Sequence, residues 1–331
     1  MKKIGTLVAL IFFFVGVFVM VPLIGSQPVH LSQVLAYLHG YSNPEGIIFF
    51  RVRLPRVVLA LMAGASLSLV GVVFQALLRN PLATPYTLGV SSGGTLGAVL
   101  AIKLGLEVSL LGFSTVQVAA FLGSLGTVAL VYLLGRSSQR LSVYTMILAG
   151  VTISYFFSAL VLIVHFLADF TETHQMIRWM MGGLDVIDWQ GIARVLPFWF
   201  VGVTILFGMS RMFNLISLSD DAALSKGVPL GKVQGVSFFV ASLITGIVVA
   251  FTGPIGFVGL IVPHLMRLLV GPDHRFLIPA SFLSGGAFLA LCDTVARTVM
   301  APLDIPVGII TATIGGPFFL YLLLSRKHQL A

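Results

Sequence analysis

Residues 53–85 read RLPRVVLALMAGASLSLVGVVFQALLRNPLATP and contain the stretch that decides the fold. Residues 57–78, between Arg56 and Arg79, include no charged side chain. About 20 apolar residues in an α-helix are enough to cross a hydrocarbon layer of about 30 Å. The prolines at 81 and 85 then end the helix, because proline disfavours helical backbone in the residue before it. The stretch therefore predicts a membrane-spanning helix with an arginine at each end.

The composition of the whole chain extends this prediction. Of its 331 residues, 58% are hydrophobic and 9% are charged, whereas an ordinary soluble domain has about 25% charged residues. The mean hydropathy is +1.06. These values exclude a soluble globular protein, and the apolar runs lack the period-two alternation of a membrane β-barrel. Most loops between the runs are too short to fold alone, so we expect residues 1–331 to form one all-α, polytopic membrane domain.

Apolar runs and the residues that break them predict ten membrane-spanning helices. Their ranges are 4–24, 57–78, 86–104, 114–134, 143–166, 192–210, 234–251, 255–269, 276–299 and 306–325. The first run is too long for the apolar region of a signal peptide and lacks a clean Ala-x-Ala cleavage site. An even number of crossings places both termini on the same side of the membrane.

The charged residues are divided unequally between the two sides that this topology defines. The side of the termini carries twelve of the 19 Lys and Arg residues but only three of the 11 Asp and Glu residues. Basic loops remain in the cytoplasm, so we expect both termini there. The pI of about 9.9 then reflects membrane topology. Nucleic-acid binding requires a clustered basic face with interleaved aromatic residues, and the sequence has none.

The chain lacks the sequence motifs of common catalytic and metal sites, so we expect no catalytic residue, no metal site and no cofactor. Residues 227–233 resemble a phosphate-binding loop, but the two glycines are too close together and Val233 stands where a hydroxyl must bind Mg²⁺. If ATP is used, another subunit binds it. The single cysteine, Cys292, lies in an apolar run and reads as a core residue.

Ionisable residues at mid-span are nearly absent, and this bears on mechanism. Ion-coupled carriers commonly keep carboxylates or histidines inside their bundle. Here His165, Asp293 and Arg297 lie near the ends of predicted spans. A secondary transporter is disfavoured but stays open, because backbone carbonyls can also coordinate ions. A membrane scaffold or receptor subunit without a pore is a further alternative.

Three arginines, Arg53, Arg56 and Arg297, occupy the outer ends of predicted spans, where the charge rule disfavours them. A guanidinium suits paired recognition of carboxylates on a partner protein. The alternative is that these side chains only extend to lipid head groups. Small residues at Ala60, Gly64 and Ser68 share one helix face and permit close packing.

The cytoplasmic loop of residues 211–232 contains a second candidate contact. Ser219 is a plausible helix N-cap, Asp220 and Asp221 fill the first turn, and Gly227 can end the helix in a left-handed conformation. The helix is too short to span a membrane. It suits docking to a partner, although it could also only stiffen the loop. Further on, the glycines and proline of residues 253–259 predict irregular backbone at membrane depth.

Seven motifs in order resemble the FecCD-type permeases, the membrane subunits of bacterial ABC importers for iron-siderophore, haem and cobalamin. The motifs are RLPR (53–56), GAxLxxxGxxFQxxxRNPLAxP (64–85), LAG (148–150), WMMGGL (179–184), GPIGFVGLIVPHLMR (253–267), DTVAR (293–297) and PVGIITATIGGPFF (306–319). The resemblance implies the type II ABC importer architecture, a homodimer with ten helices per subunit in the bacterial cytoplasmic membrane. It also implies two cytoplasmic ABC ATPase subunits, an extracytoplasmic substrate-binding protein and alternating access.

The resemblance assigns roles to residues of this chain. The loop around 219–227 resembles the coupling helix that contacts the ATPase, through Ser219, Asp220, Asp221, Ala222, Ala223, Leu224 and Gly227. The arginines at 53, 56 and 297 resemble those that contact the binding protein. Ser142, Val143 and Tyr144 resemble the cytoplasmic gate of the pore. The cargo stays open among the three chelate types.

Overall fold

The computed structural model describes residues 2–105, 108–110, 112–137, 140–184 and 188–330 and consists mainly of α-helices. In chain order they are α1 (Lys2–Met20), α2 (Leu31–Leu38), α3 (Pro44–Ile47), α4 (Leu54–Leu77), α5 (Val90–Lys103), α6 (Thr115–Gly135), α7 (Val143–Phe166), α8 (Phe170–Met180), α9 (Trp189–Gly208), α10 (Ser210–Ile216), α11 (Asp220–Ser225), α12 (Leu230–Thr252), α13 (Val258–Val270), α14 (His274–Thr298) and α15 (Val307–Leu330). Short antiparallel strands β1 (Arg136–Ser137) and β2 (Arg140–Leu141) pair with Arg136 opposite Leu141.

Each of the ten predicted spans overlaps one of these helices, and seven helical segments of the described chain are long and apolar enough to cross a membrane. The seven are Lys2–Leu23, Pro44–Leu77, Thr115–Gly135, Val143–Phe166, Trp189–Gly208, Leu230–Thr252 and His274–Thr298. The other three predicted spans fall on α5, α13 and α15. The apolar parts of the last two, Val258–Val270 and Val307–Leu322, are shorter. The count of ten crossings therefore stays a prediction.

Helix α4 lies at the centre of the bundle, with nearly all its side chains buried by other helices. Its closest neighbour is α14. A Cβ atom on Gly64 would lie 2.2 Å from the carbonyl oxygen of Gly285 in α14. In the same way, a Cβ atom on Gly71 would lie 2.0 Å from the carbonyl oxygen of Gly259 in α13. The small-residue face of α4 therefore permits backbone contact, as predicted.

The irregular backbone predicted before α13 is present at residues 253–257. Gly253 and Phe257 have positive φ angles of 63° and 66°. Neighbouring groups satisfy the exposed backbone: the Tyr86 hydroxyl accepts from the Ile255 amide at 3.1 Å, and the Gly183 amide donates to the Thr252 carbonyl at 2.8 Å. Such backbone is tolerated at membrane depth only where protein or a water-filled cavity covers it.

Ion pairs at the two ends of the bundle join residues that the predicted topology assigns to the same side. The predicted outer side has the pair of Lys103 with Glu172 at 2.8 Å. The predicted cytoplasmic side has the pair of Arg79 with Asp220 at 3.3 Å. The helix packing thus agrees with the partition of charges read from the sequence.

Candidate functional site

A shared carboxylate connects two of the three predicted outer arginines. Arg56, in the first turn of α4, donates from Nε to both Asp293 oxygens at 3.1 Å and from Nη2 at 2.9 Å. Arg297 donates from Nε to Asp293 Oδ2 at 3.0 Å, one helical turn along α14. Asp293 is fully buried. We call Arg56, Asp293 and Arg297 the outer cluster.

A second carboxylate lies at the exposed edge of this cluster. Arg56 Nη1 is 3.2 Å from Asp304 Oδ2, in the turn between α14 and α15. The Asp304 side chain is 42% exposed, whereas that of Arg56 is 13% exposed. Arg56 therefore has an inner partner that is inaccessible to other proteins and an outer partner at the surface.

Arg53 does not join the outer cluster. Its guanidinium donates to backbone carbonyls of the turn after α1, including Leu23 at 3.1 Å and also Gln27. It is 5% exposed. The structure thus brings together Arg56 and Arg297. Arg53 is buried instead, and its guanidinium donates hydrogen bonds to the backbone carbonyls of a turn.

The coupling segment, residues 210–227, comprises α10, α11 and their flanking turns. Ser219 caps α11 as predicted, since its Oγ accepts from the Ala222 amide at 3.0 Å. Asp220 and Asp221 occupy the first turn, and Gly227 ends the segment with a φ of 77°.

The short helix α11 has one inward side chain and an exposed apolar edge. Ala223 is fully buried and belongs to the core of this chain. Leu218, just before the helix, is 73% exposed, and Leu224 is 44% exposed. Ala223 was predicted among the contact residues, but its side chain is not at the surface. Of these three apolar side chains, only the two leucines can contact another protein, because the side chain of Ala223 faces the core.

Two polar contacts connect the coupling segment to the central helices. Arg79, which follows α4, pairs with Asp220 at 3.3 Å. Asn214 in α10 contacts the start of α14: its Nδ2 donates to Asp273 Oδ1 at 2.8 Å, and its Oδ1 accepts from the His274 amide at 2.8 Å. Hydrogen bonds, first from Arg275 and then from Asn214, hold the pKa of Asp273 well below its usual range, so it is ionised at neutral pH.

The predicted gate residues lie at the start of α7. Ser142 caps the helix, because its Oγ accepts from the Thr145 amide at 3.3 Å. Val143 packs against the main core, and Tyr144 is 78% exposed. The three residues therefore have different surroundings, and only the tyrosine projects from the chain.

A groove of about 630 Å³ runs between α5, α7 and α8 and has many hydroxyl groups. Those groups belong to Tyr86, Ser91, Ser92, Thr95, Ser154 and Ser158. The Ser92 and Ser154 hydroxyls are 3.2 Å apart. Nearer the predicted outer end, His165 Nε2 lies 3.5 Å from the Met180 sulfur. Apolar side chains line the rest of the groove, which therefore combines hydroxyl groups with a mainly apolar wall; they are Val161, Leu162, Ile177, Met180 and Met181.

Among the described residues, no three His, Cys, Asp or Glu side chains are close enough together to hold a metal ion.

The sequence did not predict Asp304 as a partner of Arg56, or Asn214 as a partner of Asp273 and His274. The four-residue spacing of Asp293 and Arg297 on one helix was a usable signal for their pairing.

The long apolar helices define a class of protein, the helical multi-pass membrane protein. A family model matches residues 9–325, and the chain belongs to the FecCD transport family.

Similar proteins agree with this membership. The cobalamin import system permease protein BtuC of Halobacterium salinarum is 42% identical over 290 residues, covering 87% of this chain and 76% of that protein. The hemin transport system permease protein HmuU of Yersinia pestis is 36% identical over 288 residues, covering 85% and 84%. The uncharacterized ABC transporter permease protein YvrB of Bacillus subtilis is 41% identical over 284 residues, covering 85% and 80%.

A solved structure has the same fold. It is described as an inward-facing conformation of a metal-chelate type ABC transporter. Its TM-score is 0.85 at 34% sequence identity, and the match covers 96% of this chain and 98% of that chain. The shared fold therefore includes nearly every helix described above.

Proposed function

We propose that this chain is the membrane-spanning permease subunit of an ATP-driven ABC importer for a metal chelate of the iron-siderophore, haem or cobalamin type. The observation that carries the proposal is the family match over residues 9–325. Two similar proteins are named for cobalamin and hemin transport. ATP hydrolysis takes place in a separate ATPase subunit. The permease itself is not an enzyme.

The assembly is a homodimer with a translocation path between two copies of α7. Two observations support this arrangement. Helix α7 is long and apolar, yet within one chain few of its side chains are buried. The hydroxyl-lined groove lies along the same helix. A path with hydroxyl groups on its wall provides weak, distributed hydrogen bonds, which suits a cargo that must pass without being retained.

Alternating access requires a gate at each end of this path. Tyr144, exposed at the predicted cytoplasmic end of α7, provides a bulky side chain for the inner gate, with Ser142 and Val143 holding the start of the helix. ATP binding in the ATPase subunits moves the coupling segment, and the cargo then leaves toward the cytoplasm.

The two membrane surfaces contact different partners. The exposed edge of α11, with Leu218 and Leu224, binds the ATPase on the cytoplasmic side, where both termini also lie. The outer cluster receives carboxylates of an extracytoplasmic binding protein. Of its two arginines, Arg56 lies nearest the exposed edge, because its Nη1 already contacts the surface carboxylate of Asp304.

Reconstitution of the purified complex into liposomes tests the function. The permease is purified from its native membrane with the ATPase and binding protein that accompany it. Uptake of haemin, cyanocobalamin and a ferric hydroxamate is then measured with and without internal ATP. We expect ATP-dependent uptake of one of the three. Uptake driven by an ion gradient without the ATPase would establish the secondary transporter instead. Failure to transport any cargo in the intact complex would favour a scaffold.

A further inference from the structure

We propose that Asn214 is a positioning residue that fixes the coupling segment to the start of α14, so that α14 and α4 connect it mechanically to the outer cluster. This inference rests on the proposed function, because it assumes an ATPase on one side and a binding protein on the other. It adds a residue and a route that neither the motifs nor the relatives' names indicate.

The contact of Asn214 with α14 uses every polar atom of its side chain. Its oxygen accepts from the His274 amide at 2.8 Å and from His274 Nδ1 at 2.7 Å. Its Nδ2 donates to Asp273 at 2.8 Å. The amide of His274 is in the first turn of α14, where backbone N–H groups have no partner within the helix. Asn214 therefore binds α14 in one orientation.

A second contact connects the same segment to α4. Arg79 Nη2 lies 3.3 Å from Asp220 Oδ1, at the first residue of α11. Arg79 has a φ of 47°, so the backbone leaves the helical conformation at the end of α4. The coupling segment is thus attached to the cytoplasmic ends of both central helices.

The other ends of these helices meet in the outer cluster, where Arg56 of α4 and Arg297 of α14 share Asp293. Between the two ends, Gly64 and Gly285 bring the backbones into contact. The side chains of Ser68 and Leu289 lie beside this crossing, where the two backbones are too close to admit a further Cβ atom. At about 1.5 Å per residue, α14 carries a displacement across the full thickness of the membrane.

An exchange of the two side chains tests this role. Asn214→Asp keeps the acceptor for His274 but places a carboxylate against Asp273. Asp273→Asn in the same chain restores a donor and acceptor pair, and asparagine still caps α14. Thr204→Ala is the control, because it removes only an exposed hydrogen bond within α9, from Thr204 Oγ1 to the Phe200 carbonyl. Asn214→Ala removes the contact without adding charge.

Two quantities are measured in the reconstituted complex: stimulation of ATPase activity by the binding protein, and the change in binding-protein affinity on adding ATP. The coupling of two binding equilibria is reciprocal: ATP changes the affinity for the binding protein by the same factor as the binding protein changes the affinity for ATP. A transmission defect therefore reduces the ATP-dependent change in affinity, and the ATPase rate is a separate readout. We expect Asn214→Asp and Asn214→Ala each to reduce stimulation by about fivefold or more. The exchanged pair and Thr204→Ala retain it.

The outcomes separate the inference from the function on which it rests. Absence of stimulation in the unaltered complex would contradict the proposed function. Full stimulation and an unchanged ATP effect in Asn214→Ala would overturn the role of Asn214 while leaving the importer intact. A folded exchanged pair that stays as defective as Asn214→Asp would also overturn it. Affinity for the binding protein without nucleotide reports that the outer cluster is intact in each variant.

Discussion

At the residue scale, Asp293 determines the electrostatics of the outer end. It is the one acid in the DTVAR motif, and it accepts hydrogen bonds from two guanidinium groups while fully buried. Removing one partner of a buried ion pair leaves an uncompensated charge, which costs far more than losing an exposed pair. The cluster has two arginines for one buried acid, and Asp304 at the edge supplies the second negative charge.

We therefore expect Asp293→Asn to lower the free energy of unfolding by about 3–5 kcal/mol, because the buried Arg297 and the partly buried Arg56 lose their shared carboxylate. Asp304→Asn removes an equal charge from an exposed position and should cost less than about 1 kcal/mol. Denaturant titration of the permease in detergent micelles measures both. Equal losses for the two variants would contradict the burial of this network.

Asp304 also bears on docking. It contacts the exposed edge of Arg56, so in the proposed docking it would compete with a carboxylate of the binding protein for that guanidinium. We expect Asp304→Asn to raise the affinity for the binding protein by about twofold to fivefold, the value of one exposed ion pair. Glu45→Gln removes a charge from the same predicted side, from a carboxylate paired with His30, and serves as the control. If both variants raise affinity equally, the effect is one of overall charge only.

At the element scale, α11 shows how six residues divide between core and surface. Its N-cap and the positive φ of Gly227 fix the helix, Ala223 anchors it in the core, and Leu224 is exposed one residue later. A hydrophobic contact on the exposed edge can then be changed without disturbing the core contact.

In the proposed ATPase contact, Leu224→Asp is expected to abolish stimulation of the ATPase, because it places a charge where an apolar contact would form. It should change permease stability little, because Leu224 is exposed. Ala223→Asp should instead unfold the region, since it buries a charge without a partner. Lys226→Gln, an exposed polar change beside the helix, should alter neither property. ATPase assays and thermal unfolding of the same preparations distinguish the cases. Loss of stability in Leu224→Asp would show that Leu224 belongs to the core.

The crossing of α4 with α14 is equally specific. Gly64→Ala places a methyl group 2.2 Å from the Gly285 carbonyl oxygen and should destabilise the permease by about 1–3 kcal/mol. Gly16→Ala, in α1, meets no atom within 4 Å and should stabilise its helix by up to about 1 kcal/mol. Denaturant unfolding in detergent should give changes in the free energy of unfolding of opposite sign for the two variants. Destabilisation by both variants would contradict a specific contact at Gly64 and indicate a general effect of replacing glycine.

The sequence predicted the long apolar helices because such spans are uninterrupted by charge, and the residues that break them, Pro81 and Gly253, are local signals. It did not predict the shorter helices α2 and α8. It also predicted the cap of α11 from adjacent residues. It could not predict that Arg56 pairs with Asp293, because that contact joins residues 237 positions apart. Nor could it show that Ala223 is buried and Leu224 exposed, because a six-residue helix is too short to reveal the helical period of apolar residues. Only packing assigns those side chains.

At the scale of the whole molecule, the partition of charge predicts the orientation of the chain. Ser225 in α11 and Thr171 in α8 are both exposed, on opposite predicted sides. Ser138, in the basic loop before α7, also lies on the predicted cytoplasmic side but outside the described residues. In a Cys292→Ser background, a cysteine replacing Ser225 should react with an impermeant maleimide only after the membrane is opened, whereas one replacing Thr171 should react in intact cells. Labelling of both in intact cells would contradict the topology.

The pairing of Arg56 with Asp293 also sets an order for biogenesis. Arg56 is synthesised 237 residues before its partner. At roughly 5–20 residues per second, the ribosome needs on the order of 10–50 s to reach Asp293. During that interval the guanidinium remains hydrated at the membrane surface, because an unpaired charge is costly to bury. The most buried helix of the finished protein, α4, thus attains its final packing only after α14 has entered the membrane, so the N-terminal part of the nascent chain remains incompletely packed while the rest is translated.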